Sequence, residues 1–527
     1  WAYAVCNVKN PDEIIIGTTL DEFMEWCEKR KENDTIYFHN LKFDGEFIVS
    51  YLLSQGWTYS DNLKDIDTGF SILMGDMGEF YGMDIKFSKK QVVHIHDSLK
   101  LLPFKVSKIA KDFNLPILKE EIDYEIYERN EKTESYISHD VRIIAMALKQ
   151  IKEEGMTKMT TASCAYNAYM SMRTKEYMSY TFPELSDEFL TEWREAYRGG
   201  RSQVNPIHQG KVLHNVRRFD INSMYPAVMA NEKLPYGYPI EIKYRDSCSF
   251  ELYMVRIAFH LKSGHLPSLL KKAGLYAGED SYYIESDGIE TLWISSVDYK
   301  LLEKHYDIYF VEFVKMYGFA CSNYMFSDYV RKWYSKKSVD TGARKVVDKL
   351  MLNCLYGKFG SKHKGQRKMP YLNDEGVVKY TKTDEEELRH YYLPLAIAVT
   401  SYAHKYIDDA ICDTGYENFV YCDTDSVHTL GTLPAHKIHS TDIGKFKYEA
   451  LETTCKYVRQ KTYVTVEEGK INITCAGMPD NVKERVIKQY GMNIFDVFRE
   501  GFVATGKLVP KHVKGGVVLN VTTFKIT

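Results

Sequence analysis

Tyr421-Cys422-Asp423-Thr424-Asp425-Ser426, with Val427 and His428 behind it, is the stretch on which the reading of this chain turns. Phe419 and Val420 lead into it after the polar turn Tyr416-Glu417-Asn418, so Phe419 to His428 is predicted to be a short strand or a tight hairpin. On a strand, residues two apart share a face about 6–7 Å along the chain, which would stand Asp423 beside Asp425. Two carboxylates about 4 Å apart repel by roughly 4 kcal/mol at an effective dielectric of about 20. No lysine or arginine lies between Ala410 and Pro434 to offset that. A divalent cation is the simplest remedy, and oxygen-only donors suit magnesium or manganese. A bare Asp-x-Asp is more often an acidic turn on a solvated hairpin, so the metal reading depends on matching chemistry elsewhere in the chain.

With 527 residues the chain exceeds the reach of one hydrophobic core, and about three to five structural units are expected. Its 44% hydrophobic and 27% charged residues suit a soluble globular protein. No apolar run approaches the length of about eighteen residues that a membrane helix needs, so no membrane partner is expected. Trp1-Ala2-Tyr3 carries no signal-peptide pattern and reads as the middle of a strand, as if the true beginning were missing. The ten cysteines form no C-x-x-C pair, which argues against a zinc ribbon and fits reduced thiols in a cytoplasm. A net charge of −3 means that any polyanion must be met by a local basic face. The 41 tyrosines could stack on bases, but core packing explains most of them equally well.

Working outward from the aspartate pair, Phe219-Asp220-Ile221-Asn222-Ser223-Met224-Tyr225-Pro226 is predicted to end a strand at Asp220 and to start a helix after Pro226. Asp220 could join Asp423 and Asp425 across strands, with the backbone amides around Ser223 and Met224 ready for a triphosphate. From Arg331 to Lys368 the chain is basic, with only Asp340 and Asp348 as acids within it and Asp328 just before. Asp340 is expected to cap a helix running to about Tyr356. Lys345, Lys349, Asn353 and Tyr356 fall on one face of it, cations for phosphate beside a flat ring for a base. Farther on, Lys461 and Tyr463 alternate on a predicted strand, and Lys507, Lys511 and Lys514 make the C-terminal region basic again.

Nearer the start, Ile36 to Phe38 reads as a strand, followed by His39-Asn40 and by a helix that Asp44 is expected to N-cap. His94 and His96 have metal-ligand spacing but no third ligand, so a structural role is preferred. Tyr136 and Asp140, four apart, share one face at a helix start. Asn40, Asp44, Tyr136 and Asp140 together read as half of a metal-dependent nuclease site. Tyr197-Arg198-Gly199-Gly200 offers close backbone approach and an arginine for a phosphate, or is a simple turn.

In this order the pieces resemble a family B DNA polymerase. Phe219 to Pro226 resembles its first polymerase motif, Lys349 to Gly357 the second, Tyr421 to Ser426 the third, and Lys461-Thr462-Tyr463 the primer-contacting motif. Stretches beginning at His39, Ile109, Tyr197, Cys475 and Gly515 carry the likeness further, to the protein-primed polymerases of small tailed bacteriophages. The resemblance implies an α/β and α+β multidomain fold: a ribonuclease-H-like 3′–5′ exonuclease domain and a right-hand polymerase with two insertions. The expected units are the exonuclease domain 1–160, linker and first palm part 161–231, first insertion 232–325, fingers 326–358, second insertion 359–395, second palm part 396–463 and thumb 464–527. The first insertion is expected to contact duplex and terminal protein, and the second to give strand displacement and processivity.

The resemblance also implies roles. Two magnesium ions, replaceable by manganese and about 3.5–4 Å apart, would be bridged by Asp220 and Asp425, with Asp423 nearby and more dispensable. Lys337, Lys345 and Lys349 would neutralise the triphosphate, Tyr225 would exclude a 2′-hydroxyl, and Tyr356 would stack near the nascent pair with Asn353 close by. Lys461 and Tyr463 would hold the primer end, and Arg198, Gly199 and Gly200 the template. In the exonuclease, Asp44 and Asp140 would bind metal beside Tyr136. Asn40, Phe43, Ser98, Leu99, Phe104, Lys119 and Tyr124 would handle the single-stranded 3′ end. Template-primer DNA, dNTPs and a terminal protein are the implied partners of a monomer working in the cytoplasm of a host bacterium.

One departure matters. The family's first exonuclease motif, Asp-x-Glu on a strand, belongs just before Trp1 and is absent, since Asp44-Gly45-Glu46 follows the lead of the second motif. The chain as written is therefore expected to lack proofreading or to be without its first residues. Two rivals stay open at the sequence level: a nucleic-acid-binding protein with vestigial carboxylates, and an RNA-directed or RNA-making polymerase, which the bulky Tyr225 disfavours.

Overall fold

The computed structural model describes residues 2–30, 34–120, 122, 130–271, 281–389 and 391–527. Two sheets position the motifs. The N-terminal sheet has four strands in the order Thr35–Phe38, Gln91–Asp97, Phe80–Ser88, Gly69–Met74, with the first pair parallel and the others antiparallel. Its alternation turns Val93, Ile95 and Asp97 inward and leaves His94 and His96 on the outer face. His94 Nδ1 lies 2.8 Å from Asp84 Oδ1, a structural partnership.

The helix Leu41–Ser54 follows the first of these strands. Asp44 is not its cap: Asn40 takes that place with φ 73°, in the left-handed region that asparagine tolerates, and Asp44 lies in the first turn. The helix Glu131–Glu153 likewise starts ahead of Tyr136, because Asn130 and Thr133 cap it reciprocally. It buries Ile143, Ile144, Ala147, Leu148 and Ile151.

The second sheet is antiparallel, with seven strands in the order Lys470–Cys475, Thr462–Glu467, Phe446–Arg459, Val212–Ile221, Ser426–Thr429, Phe419–Asp423, Ser202–Val204. The helix Leu393–Thr414, buried through Leu393 to Ser401, and the helix Met224–Asn231 pack against it. The latter begins before Pro226, not after it, since proline fits the first turn of a helix, where its missing N–H costs nothing. The expected boundary after residue 463 cuts the strand Thr462–Glu467. The sheet continues to Cys475, and the next helix begins at Asp480.

Within 232–325, the strands Leu234–Glu241, Phe250–Leu261, Glu290–Ser295 and Tyr306–Ser322 form one antiparallel sheet carrying the helix Ser296–His305. The helices Ser327–Val339 and Gly342–Phe359 follow. Asp340 is the C-cap of the first, and Thr341 is the N-cap of the second, so Asp340 does not open the basic helix. Between residues 364 and 387, Lys368–Leu372 pairs with Val378–Lys382, flanked by the short pair Lys364–Gly365 and Glu386–Glu387. A long hairpin, Val503–Val513 with Gly516–Lys525, ends the chain, and its tip lies against Phe47 of the N-terminal domain.

Candidate active site

The register of the seven-stranded sheet assembles the polymerase carboxylates. Asp423 pairs with Ser426 across a two-residue turn, and Ser426 lies opposite Asp220 on the neighbouring strand. Thr424 has φ 61°, and the Asp425 amide donates to the Asp423 carbonyl at 2.7 Å, so Asp425 sits in a tight turn rather than two along a strand. The Ile221 amide donates to the Asp425 carbonyl at 2.8 Å, tying the turn to the Asp220 strand.

Burial first, then Asp425 and Glu449, push the Asp220 carboxyl up to about 7, against Lys447 and Lys349. Asp425 is also raised, by burial first, with Asp423 adding to it and Lys349 and Lys461 opposing. Bare anions are disfavoured here, and a divalent cation would relieve both groups, so Asp220 and Asp425 fit the expected metal role. Asp423 is already neutralised: Lys461 Nζ donates to its two oxygens at 2.7 and 2.9 Å. Lys461 comes from a hairpin turn, with φ 52°, and not from a strand, so the charge that the local sequence lacks arrives from 38 residues away. Glu449 and Lys447 were not foreseen. Glu449 falls at an irregularity in the pairing with the Asp220 strand, which no local spacing announces.

Across from the carboxylates, Lys337 Nζ donates to Ser223 Oγ at 3.0 Å. Burial, then Lys349 and Lys345, lower the Lys337 ammonium, which means that the three amines converge. Lys345, Lys349 and Asn353 are exposed on one face of their helix, as the spacing predicted. Tyr225 stacks on Tyr356 with ring centres 4.1 Å apart. Met224 is buried beneath the helix start, so the contact surface there belongs to Ser223 and Tyr225. Tyr463 packs with Tyr421, Tyr457 and His428, leaving Lys461 as the freer of the two primer-motif side chains.

Arg198 overturns its expectation. It is buried and donates to the carbonyls of Leu270 (2.9 Å) and Trp293 (3.1 Å), so it braces the fold and does not face a template. Gly199 is exposed, while Gly200 packs against Thr424.

In the N-terminal domain, Lys119 Nζ donates to Tyr136 Oη at 2.8 Å and to Asp140 Oδ2 at 2.5 Å. Burial pushes Asp44 up to about 6, and Asp97 adds to it. Asp97, missed in the sequence although it closes an alternating strand, accepts from the Asn40 and Leu99 amides at 2.9 and 3.0 Å. Ser98 is fully buried between the Phe38 carbonyl and His39, so it positions His39 and is out of reach of a strand. His39 also bonds the Phe104 carbonyl at 2.9 Å, while Phe43 and Phe47 meet edge to face. Asp44 and Asp140 line one cavity of about 1550 Å³, walled by the strands Tyr3–Cys6 and Thr35–Phe38 and by the helix Glu131–Glu153. Tyr124 lies outside the described residues.

An antiparallel sheet presenting paired aspartates to a lysine-bearing helix suits nucleotidyl transfer, and a separate carboxylate cleft lies on a mixed sheet. A family model described as "DNA polymerase type B, organellar and viral" matches residues 27–135 and 127–442. The DNA polymerases of Bacillus phage Nf and Bacillus phage phi29 are 36% and 37% identical to the chain, covering all of it and 96% of their own length. That of Streptococcus phage Cp-1 is 31% identical over 98% of this chain and 93% of its own. The solved structure of phi29 DNA polymerase with primer-template DNA and incoming nucleotides superposes with a TM-score of 0.91 at 34% identity, over 100% of this chain and 96% of that one. The chain belongs to the family B DNA polymerases, in their phi29-type phage group, and is a DNA-directed DNA polymerase.

Proposed function

We propose that the enzyme is a processive, strand-displacing DNA polymerase whose synthesis starts on a terminal protein and continues on template-primer DNA, as a monomer in the host bacterium's cytoplasm. The observation that carries the catalytic reading is the convergence of Asp220 and Asp425 opposite Lys337, Lys345 and Lys349. Asp220 and Asp425 would hold two magnesium ions, with manganese able to substitute, and the metal supplies activation of the attacking 3′-hydroxyl and charge neutralisation on the triphosphate. The three lysines draw the phosphates to the helix face and stabilise charge on the leaving pyrophosphate. Tyr225, propped by Tyr356, closes the floor beneath the sugar and excludes a 2′-hydroxyl. Lys461 neutralises Asp423 and stands next to where a primer end must lie. In the protein-primed start the hydroxyl comes from a terminal-protein side chain.

We read the exonuclease cleft as weak at binding metal, because the Lys119 ammonium holds Asp140 Oδ2 at 2.5 Å and competes with a cation for it. Extension of a primed template by dNTPs, with and without a terminal protein, tests the polymerase reading, and absence of any extension would return the chain to a vestigial binding protein. In the same buffer, brisk 3′–5′ digestion of a labelled single strand would overturn the reading of the cleft.

A further inference from the structure

We propose that His404 and the Arg201–Asp408 ion pair are positioning residues for the catalytic turn, and that through them the 232–325 insertion is clamped to the polymerase site. The proposal rests on Asp423 and Asp425 being the catalytic carboxylates.

Thr424 between them holds φ 61°, a conformation that a threonine keeps only when its surroundings impose it. The mould is the segment 199–201. The Arg201 carbonyl accepts from the Thr424 amide at 2.7 Å. A Cβ added to Gly200 would come within 2.8 Å of Thr424 Oγ1 and 2.9 Å of its Cγ2, so only glycine lets the two segments close.

This segment is irregular until Ser202, and side-chain bonds hold its shape. His404 Nε2 lies 2.6 Å from the Gly199 carbonyl and Nδ1 2.8 Å from Asp298 Oδ1. Both ring nitrogens face acceptors, so a ring with two N–H groups satisfies both. Asp298, on its other oxygen, accepts from Ser401 at 2.6 Å and from Ser295 at 3.1 Å. Arg201 Nη1 donates to Asp408 Oδ1 at 2.9 Å, and Lys304 and His305 approach the same carboxylate at 2.7 and 2.9 Å. Arg201 and Asp408 are 1% and 0% exposed.

A buried charge cluster costs desolvation and is a poor route to stability for its own sake. Here it has a geometric product. Asp298, Lys304 and His305 belong to the 232–325 insertion, and His404 and Asp408 to the helix Leu393–Thr414, so the segment between them is gripped from both sides. Its inner face is the surface that shapes Thr424. Loosening the grip should disturb where Asp423 and Asp425 point and leave the DNA-contacting surfaces intact.

Single-turnover incorporation distinguishes this from a structural role. His404→Leu should slow the chemical step about 10- to 100-fold and raise the half-saturating magnesium concentration, with the template-primer Kd within about twofold. His404→Gln, which can still donate to the Gly199 carbonyl, should recover most of the rate. Independently, Gly200→Ala should slow the step, and adding Thr424→Gly should restore it by removing the side chain that the new methyl meets. The proposal is overturned by a folded His404→Leu enzyme within twofold of the parent rate, or by one whose loss lies wholly in DNA affinity. It is also overturned if Thr424→Gly fails to relieve Gly200→Ala, and that pair decides alone if His404→Leu does not fold. Asp425→Asn in the same assay tests the underlying assignment: if that change leaves the rate intact, the assignment has failed, whatever His404 does.

Discussion

At the scale of single residues, the two aspartates of the turn part company. Asp425 faces Asp220 with its carboxyl raised by burial, whereas Asp423 is spoken for by Lys461. Asp425→Asn should therefore cost about 10³-fold or more in single-turnover rate, and Asp423→Asn about tenfold, since it frees Lys461 and leaves in place the carboxylates that would hold the metal. Equal losses in the two variants would contradict this division of labour. Tyr225 makes a second prediction: its ring is held by Tyr356 at 4.1 Å, so Tyr225→Val should admit ribonucleotides at least about tenfold better relative to dNTPs. Competition between the two nucleotide types on one template checks it.

At the scale of elements, the helix Gly342–Phe359 shows how one face is given to function while another carries a cost. Lys345, Lys349 and Asn353 point outward, while Asp348, 2% exposed, turns inward. Burial, then Asp340, push the Asp348 carboxyl up to about 6. That lies above the value of about 4 for an unfolded aspartate, so the fold prefers the protonated acid. Stability is undiminished by this group below about pH 4 and falls as pH rises from there through about 6. Asp348→Asn should thus raise stability by about 1–2 kcal/mol at pH 8 and lose most of that advantage near pH 4. Thermal unfolding of both proteins at the two pH values measures it.

Asp348 also shows what a helical repeat conceals. The spacing of the lysines displays the functional face, but it says nothing of an acid three residues on from Lys345 that packs beside Asp340. The helix starts err in a similar way. Asn40, Asn130 and Thr341 are the true caps, and each loses out in the sequence to a nearby residue: Asp44, Tyr136 and Asp340.

At the scale of the molecule, two regions distant in sequence meet over the helix Leu41–Ser54 of the N-terminal domain. Tyr380 of the hairpin Lys368–Lys382 donates to Glu46 at 2.8 Å, and the C-terminal hairpin places Gly516 on Phe47. Val377 bridges Lys514, closing the contact between the two hairpins. A side chain at Gly516 would overlap the Phe47 ring, so Gly516→Val should lift the hairpin tip away. The product length made in one binding event, measured with a trap for released enzyme, should shorten severalfold, while single-nucleotide incorporation stays within about twofold.

The motifs that hold catalytic chemistry were legible because each is a few adjacent residues whose roles need only local geometry: Asp220 on a strand end, Lys345 and Lys349 on one helical face, Asp423-Thr424-Asp425 in a turn. Taken in order, these motifs carry the resemblance that gives the class of enzyme, and the relatives bear that class out. The tertiary structure decided everything that depends on pairing across long separations. It took Lys461 to Asp423 and buried Arg198 where a template contact was expected, and it joined Arg201 to Asp408, 207 residues apart. Charge and hydrogen-bonding capacity are written in each residue, but a partner is chosen by packing, and packing exists only once the chain has folded.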